Sequence, residues 1–271
     1  MRISSNLAQT TTRMITERQE HLNKEMEKLN SGYRVNNSSD DTAGLAISEK
    51  MRGQIRGLNV AMNNTQGAIS MISTAEGALN ETHSILQRIR ELAIQGSNQT
   101  NVESDRQKLQ LEVKGLLKNI DEISKYTNFN TKNLIDGSQN NIKFFIGANK
   151  DEDYGMKLNN MSTSSIGIDK LDVSKREKAE EAIELVDKAI DLVGNERSKI
   201  GAVNNRLEHT LQNIRLRHDN LADSESRIRD ADMAKEMATM VSDKLITQAG
   251  IGVQVHANTE ANGVLTLLGV R

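Results

Sequence analysis

Not one proline occurs in the 271 residues of this chain. At ordinary usage of about 5%, roughly 13 would be expected. Proline is the residue that most reliably breaks a helix interior, because it lacks an amide proton and its ring collides with the preceding turn. The chain is therefore free to form helices much longer than the usual globular element. Only 36% of residues are hydrophobic, 27% are charged and 2% are aromatic. That balance argues against a thick core and for long thin helices, each burying one stripe.

The same composition excludes several function classes. A net charge of −2 provides no general basic field for nucleic acid. Without cysteine there are neither disulfides nor thiolate metal sites. No stretch reaches the apolar length of a membrane span, so no membrane insertion is expected. The opening MRISSNLAQTTTRM has no apolar core of a cleavable signal. If the chain is exported, another route must carry it.

Periodicity predicts a mainly α fold: a long helical bundle or coiled coil formed by the N- and C-terminal halves, with a small β-hairpin region between them. The first block runs from about Asn6 to Asn30, with Leu7, Met14, Leu22, Met26 and Leu29 at near-heptad spacing, and ends at Ser31-Gly32. The second, Thr42 to about Gln95, carries Met51, Ile55, Leu58, Met62, Ile69, Ile72, Leu79, Leu86 and Ala93 on a four-three register. Thr65, Glu76, His83 and Arg90 fill its remaining places. At 1.5 Å per residue this block would span roughly 80 Å, although Gly67 and Gly77 weaken it. A third block opens on the capping-box pattern Ser104 to Gln107 and continues through Leu109, Val113, Leu116, Ile120 and Ile123.

Between about 128 and 168 the period changes. Asp136-Gly137 is a hairpin-turn dipeptide, followed by the strand-like run Ile142 to Ile146. The fourth block opens on a second capping-box pattern at Ser174 to Glu177. Its seam reads Ile183, Val186, Ile190, Val193, Ile200, Leu207, Leu211 and Ile214, with Arg197 and Asn204 as polar interruptions of the kind that fix register. A last segment, Arg227 to Val270, begins polar and turns apolar. Two domains are expected: 1–40 with 228–271 as an inner helical core, and 41–227 as a helical bundle carrying the short β region.

Five segments, in order, carry a family resemblance. Ser38-Ser39-Asp40-Asp41-Thr42-Ala43-Gly44-Leu45-Ala46-Ile47-Ser48 and Met51 to Leu58 are similar to the N-terminal signature of flagellins. Leu86 to Ala93 (LQRIRELA), Asn205 to Thr210 (NRLEHT) and Ser226 to Asp232 (SRIRDAD) are similar to later motifs of that family. The resemblance implies a structural subunit, not an enzyme, that polymerises with itself into the bacterial flagellar filament for swimming motility. It implies a secreted protein of the extracellular flagellum. Its expected partners are the flagellar cap, the junction proteins, an export chaperone and the type III export apparatus. It further implies contact with a host Toll-like receptor through Arg88, Leu92, Gln95 and Glu112, and O-glycosylation within Ser162, Thr163, Ser164 and Ser165. The short middle implies a minimal form lacking large outer domains. Near the C-terminus, Val255-His256-Ala257-Asn258-Thr259 departs from the usual family sequence.

Assembly is expected to rest on the apolar positions of both ends: Leu7, Met14, Leu22, Leu29, Leu245, Val264, Leu265 and Leu268. The alternatives are a hook–filament junction protein and a non-flagellar signalling coiled coil or helical enzyme. No catalytic constellation supports the last of these, and no cofactor is expected. His21, His83, His209, His218 and His256 are scattered, so solvated or seam roles outweigh zinc. Asp230-Ala231-Asp232 fits helix capping or surface charge better than a cation site. Gly250-Ile251-Gly252 lacks the third glycine of a nucleotide loop. Met233, Met237 and Met240 form a helical stripe that reads as packing.

Overall fold

The computed structural model describes residues 2–139 and 141–267, with side chains described for 9–139 and 141–259. Five long helices account for most of it: α1 (Arg2–Ser31), α2 (Thr42–Ser97), α3 (Glu103–Tyr126), α4 (Arg176–Arg229) and α5 (Met233–Leu267). Two short antiparallel hairpins separate α3 from α4, β1–β2 (Asn128–Phe129, Lys132–Asn133) and β3–β4 (Ile142–Phe145, Asp153–Met156). The chain divides into two compact units, 1–55 with 219–271, and 56–218.

Helix α2 is unbroken through Gly67 and Gly77. Its start is fixed by Asp41, whose Oδ1 accepts the Gly44 amide at 2.8 Å. The two capping boxes do not form as expected. Helix α3 begins one residue earlier, after Val102, with no side-chain cap, and Ser104 lies inside its first turn. The acidic Glu103 and Asp105 there favour the positive end of the helix dipole instead. At α4 the residue doing this work is Asp172, which accepts the Ser174 amide at 2.9 Å and pairs with Lys178 at 2.6 Å. Hydrogen bonds from Lys178 and Ser174 hold its carboxyl well below the usual range. The last block also starts later than expected. Helix α4 continues to Arg229, and α5 opens at Met233.

In the 56–218 unit the core is a seam on α2, α3 and α4. On α2 the buried four-three line is Leu58, Ala61, Thr65, Ala68, Ile72, Ala75, Leu79, Thr82, Leu86, Ile89 and Ala93, with Met71 and Leu92 buried beside it. Half of this register matches the sequence expectation, and the other half sits one residue earlier. Met62, Ile69, Glu76 and His83 are only half-buried and Arg90 is exposed. The same displacement occurs on α4, where Ala182, Ala189 and Glu196 are buried in place of Ile183, Ile190 and Arg197. Val203 likewise replaces Asn204 in packing against the core. The reason is size. Alanine at alternate seam positions lets neighbouring backbones approach, and the larger residue beside it then covers the flank of the seam. Buried Thr65 and Thr82 are satisfied by the carbonyls of Ala61 and Ala78, at 2.7 and 3.0 Å.

The middle of the chain is less peripheral than expected. Leu134, Ile135, Leu158, Ile168 and Val173 are buried and join the bundle core. The first hairpin turns at Asn130-Thr131, both with positive φ (48° and 65°). Two such residues match the twist of the flanking strands. The expected turn at Asp136-Gly137 is a bend outside either hairpin, where Gly137 (φ 83°) leaves a Cβ only 2.9 Å from Asn160 Cβ. The second hairpin pairs Ile142 with Met156 and Phe144 with Tyr154. It is held to the bundle by Asn64, which donates to the Phe145 carbonyl at 3.3 Å, and by Arg206, stacked 4.5 Å from the Tyr154 ring centre.

In the other unit, α1 ends at Gly32 (φ 73°), whose amide donates to the Lys28 carbonyl at 2.8 Å. Residues 32–34 then pair antiparallel with 229–231. Arg34 donates to the Arg229 carbonyl at 2.7 Å and Ala231 donates to that of Gly32 at 3.0 Å. The Arg229 guanidinium lies over the Tyr33 ring and bonds Glu49 at 2.7 Å. No described helix is long and apolar enough to cross a membrane.

Candidate assembly surface

Helices α1 and α5 pack along one another with an unusual distribution of side chains. The α5 positions turned inward follow strict four-three spacing: Glu236, Met240, Asp243, Thr247, Gly250, Gln254 and Ala257. Most are polar or small. From α1 they meet Thr12, Ile15, Arg18, Glu25 and Lys28. Arg18 pairs with the nearly buried Asp243 at 2.9 Å, and Gln254 donates to Thr12 at 2.9 Å. A Cβ on Gly250 would lie 3.2 Å from Ile15 Cγ1. Lys28 lies 2.9 Å from Glu25 and 3.7 Å from Glu236.

The two glutamates titrate in opposite directions. The Glu236 carboxyl is raised by its hydrogen bond to Glu25 and by burial. Burial also acts to raise Glu25, but hydrogen bonds from Glu236 and Lys28 outweigh it and hold that carboxyl below the usual range. One proton shared between facing carboxylates, with a lysine beside them, explains both shifts.

The larger aliphatic residues of α5 are left uncovered by α1. Val241, Leu245, Ile246, Ile251, Val253 and Val255 are exposed, Leu245 by 60%. On α1, Met14 is 66% exposed, while Leu22 and Leu29 are half-buried. Met14 and Met26 therefore leave the α1 seam that the sequence assigned them. Leu7, Val264, Leu265 and Leu268, also expected in assembly, lie outside the residues whose side chains are described. A helix pair with a polar interface and an aliphatic exterior is the inverse of a free-standing globular unit. It presents a surface that needs a further apolar partner.

The remaining expected sites are on the bundle. Arg88, Gln95 and Glu112 are exposed, and Arg88 bonds both Glu112 (2.9 Å) and Glu91 (3.0 Å). Leu92 is turned into the core and 1% exposed, so it offers no direct contact surface. Thr163 is buried as well. Its hydroxyl and amide bind the Asp121 carboxylate at 2.8 to 2.9 Å, a structural role that removes it as a modification site. Ser164 and Ser165 are exposed, and Ser162 hydrogen-bonds both.

Asp232 caps α5 by accepting the Ala234 and Lys235 amides at 3.1 and 3.2 Å, and Asp230 accepts from Ser226 at 2.6 Å. Among the described residues, no three His, Asp or Glu side chains converge to hold a metal. Sequence reasoning missed the polar α1–α5 seam and the Asp121–Thr163 bond. A search for small and polar residues at four-three spacing would have found the first. The second joins residues 42 apart with no local signal.

Comparison with known proteins agrees with this arrangement. The bacterial flagellin N-terminal helical region matches residues 3–140, and the C-terminal helical region matches 183–268. Flagellin of Halalkalibacterium halodurans is 46% identical over 90% of this chain and 91% of its own length. That of Bacillus subtilis is 42% identical over 99% and 100%. Among solved structures, Bacillus cereus flagellin aligns with TM-score 0.51 and 33% identity, covering 56% of this chain and 88% of its own. A Vibrio parahaemolyticus structure described as a flagellar hook-associated protein shares the fold at TM-score 0.60, with 13% identity. With both helical ends matched in order and no large domain between them, this chain belongs to the flagellin family, the structural, non-enzymatic subunits that polymerise into the bacterial flagellar filament.

Proposed function

We propose that polymerisation is driven by the outward aliphatic face of the α1–α5 pair, docking against the same pair of neighbouring subunits. The observation that carries this reading is the inversion of that pair, with charges inside and Leu245, Ile246 and Ile251 outside. In this reading residues 1–40 and 228–271 form the filament's inner layer. Residues 41–227, with the short β region, form the layer around it and, lacking large insertions, the outer surface. Leu7, Met14, Leu22, Leu29, Val264, Leu265 and Leu268 belong with Leu245 to the apolar contact set. Burial of each aliphatic side chain contributes roughly 1.5–3 kcal/mol, which offsets part of the entropy lost on association.

The same reading has the subunit secreted through the flagellar type III apparatus, accompanied by an export chaperone and added beneath the cap beyond the junction proteins. Such export suits a chain without disulfides. On the bundle, the exposed Arg88, Gln95 and Glu112 form the proposed contact for a host Toll-like receptor, with Leu92 supporting the helix from beneath. Ser164 and Ser165 are the proposed O-glycosylation positions, with Ser162 beside them.

Removal of residues 245–271 tests the central claim. The truncated protein should remain a soluble monomer with an intact bundle, and electron microscopy should show no elongation of filament seeds. Normal filaments from the truncation would overturn the role given to α5.

A further inference from the structure

The chain has 11 methionines, and their exposure divides by region. Among the described side chains four are exposed: Met14 (66%), Met26 (46%), Met233 (47%) and Met237 (53%). All four lie on α1 or α5. In the 56–218 unit, Met71, Met156 and Met161 are buried and Met62 is half-buried. The bundle thus uses methionine as filler, whereas the terminal pair displays it.

Placement adds to this contrast. Met233, Met237, Val241 and Leu245 follow one another at four-residue spacing, so they form one exposed line along α5. On α1, Met14 shares a groove with Ile246 of α5, and Met26 shares another with Met240. These two thioethers lie beside Ile15, Ile246, Leu22 and Met240, with Arg18, His21 and Lys244 lining the same grooves. Leucine would bury similar apolar area. What methionine adds is a sulfur whose polarity a mild oxidant can change.

We infer that Met14, Met26, Met233 and Met237 form a reversible oxidation site that controls polymerisation. The inference rests on the assembly reading above. The oxidant is a peroxide. The thioether sulfur attacks one peroxide oxygen, the O–O bond breaks, and a sulfoxide S=O bond forms. Sulfur is oxidised by two electrons and hydrogen peroxide is reduced to water. The product turns an apolar thioether into a polar sulfoxide that must shed its hydration when a neighbouring subunit covers it, so association is weakened. The bundle methionines are shielded, so the folded unit survives. A sulfoxide reductase supplied with a dithiol returns each sulfoxide to the thioether, the dithiol becoming a disulfide and the oxygen leaving as water, which restores the apolar surface.

The test treats full-length monomer with hydrogen peroxide and follows each methionine by peptide mass spectrometry, with seeded elongation and bundle melting measured in parallel. The four exposed methionines should oxidise at least about tenfold faster than Met71, Met156 and Met161. Elongation should fall about tenfold or more, with bundle melting unchanged, and methionine sulfoxide reductase should restore it. The variant M14L/M26L/M233L/M237L should elongate equally before and after peroxide. Uniform oxidation across the chain, normal elongation by the oxidised protein, or equal peroxide sensitivity of the leucine variant would each overturn the inference. Repair of the oxidised native protein is read independently of the variant, so a variant that fails to elongate leaves that arm decisive. Untreated protein that cannot elongate seeds overturns the assembly reading and this inference with it.

Discussion

The two units of this chain use long helices in opposite ways. In the bundle, alanines and aliphatics close the seam, and apart from Glu196 the charges, such as the Arg90–Asp187 pair at 2.6 Å, stand outside it. In the α1–α5 pair, Arg18, Asp243, Glu25, Lys28 and Glu236 lie at the interface beside Ile15, and most of the α5 aliphatics are exposed. Both regions are helical, and both have four-three spacing. The difference teaches that periodicity identifies a seam but not what will cover it. The bundle's seam is covered within one chain, whereas the terminal pair leaves Leu245, Ile246 and Ile251 exposed.

The largest test of this contrast is charge placed on the outer face of α5. The double variant L245D/I251D should abolish seeded filament growth in electron micrographs while the bundle's melting temperature stays within error. A matching loss of bundle stability would break the comparison. Of intermediate size is the effect of filling the alanine seam. Ala75→Leu, at a fully buried position, should destabilise the bundle by about 1–3 kcal/mol in denaturant unfolding. Glu76→Leu, at the neighbouring half-buried position, should change it by less than about 0.5 kcal/mol. Equal effects would mean that the seam runs where the larger residues are.

The smallest expected effect concerns pH. Because the Glu236 pKa is raised, its contribution is present below the ordinary glutamate range and is lost as pH rises through the raised value. The Glu25 pKa is lowered, so its contribution is lost only as pH falls through that lower value. Filament melting temperature should therefore decline as pH rises from the ordinary glutamate range through the raised Glu236 value. Glu236→Gln, which keeps a donor to Glu25 without titrating, should flatten that decline. An unchanged slope in the variant would place the pH dependence elsewhere.

Much of this was legible in the sequence, and the failures share a cause. The long helices followed from the absence of proline, the Ser31-Gly32 stop and the polar turn before Thr42. The family followed from motifs such as Asn205 to Thr210. Most of the misplaced seam positions put a small buried residue beside a bulkier neighbour. Ala61, Ala68 and Ala182 have less hydropathic weight than Met62, Ile69 and Ile183, which drew the register instead, and the spacing then carried it through Arg90 and Arg197 past the buried Ile89 and Glu196. Packing decides by fit as well as by hydropathy, and fit depends on a partner helix far away in sequence. The turn at Asn130-Thr131 was missed because a β-branched residue at positive φ is disfavoured locally. Thr163 looked like a free hydroxyl because its partner, Asp121, lies on α3.

The alanine seam has a consequence for alignment. Ala61, Ala68 and Ala75 repeat every seven residues on α2, as Ala182 and Ala189 do on α4. A ladder of identical rungs is nearly degenerate under translation, so sliding by one rung costs little in contact area. Glu196 removes that degeneracy. It sits on the same ladder, 2% exposed, with its carboxylate accepting from the amide and side chain of Asn159 at 3.3 and 2.8 Å and from Lys199 at 3.2 Å. A shift of one rung would carry this charge away from Asn159 and into a place shaped for alanine. Glu196 is thus a detent, a single notch that sets the zero of an otherwise uniform scale.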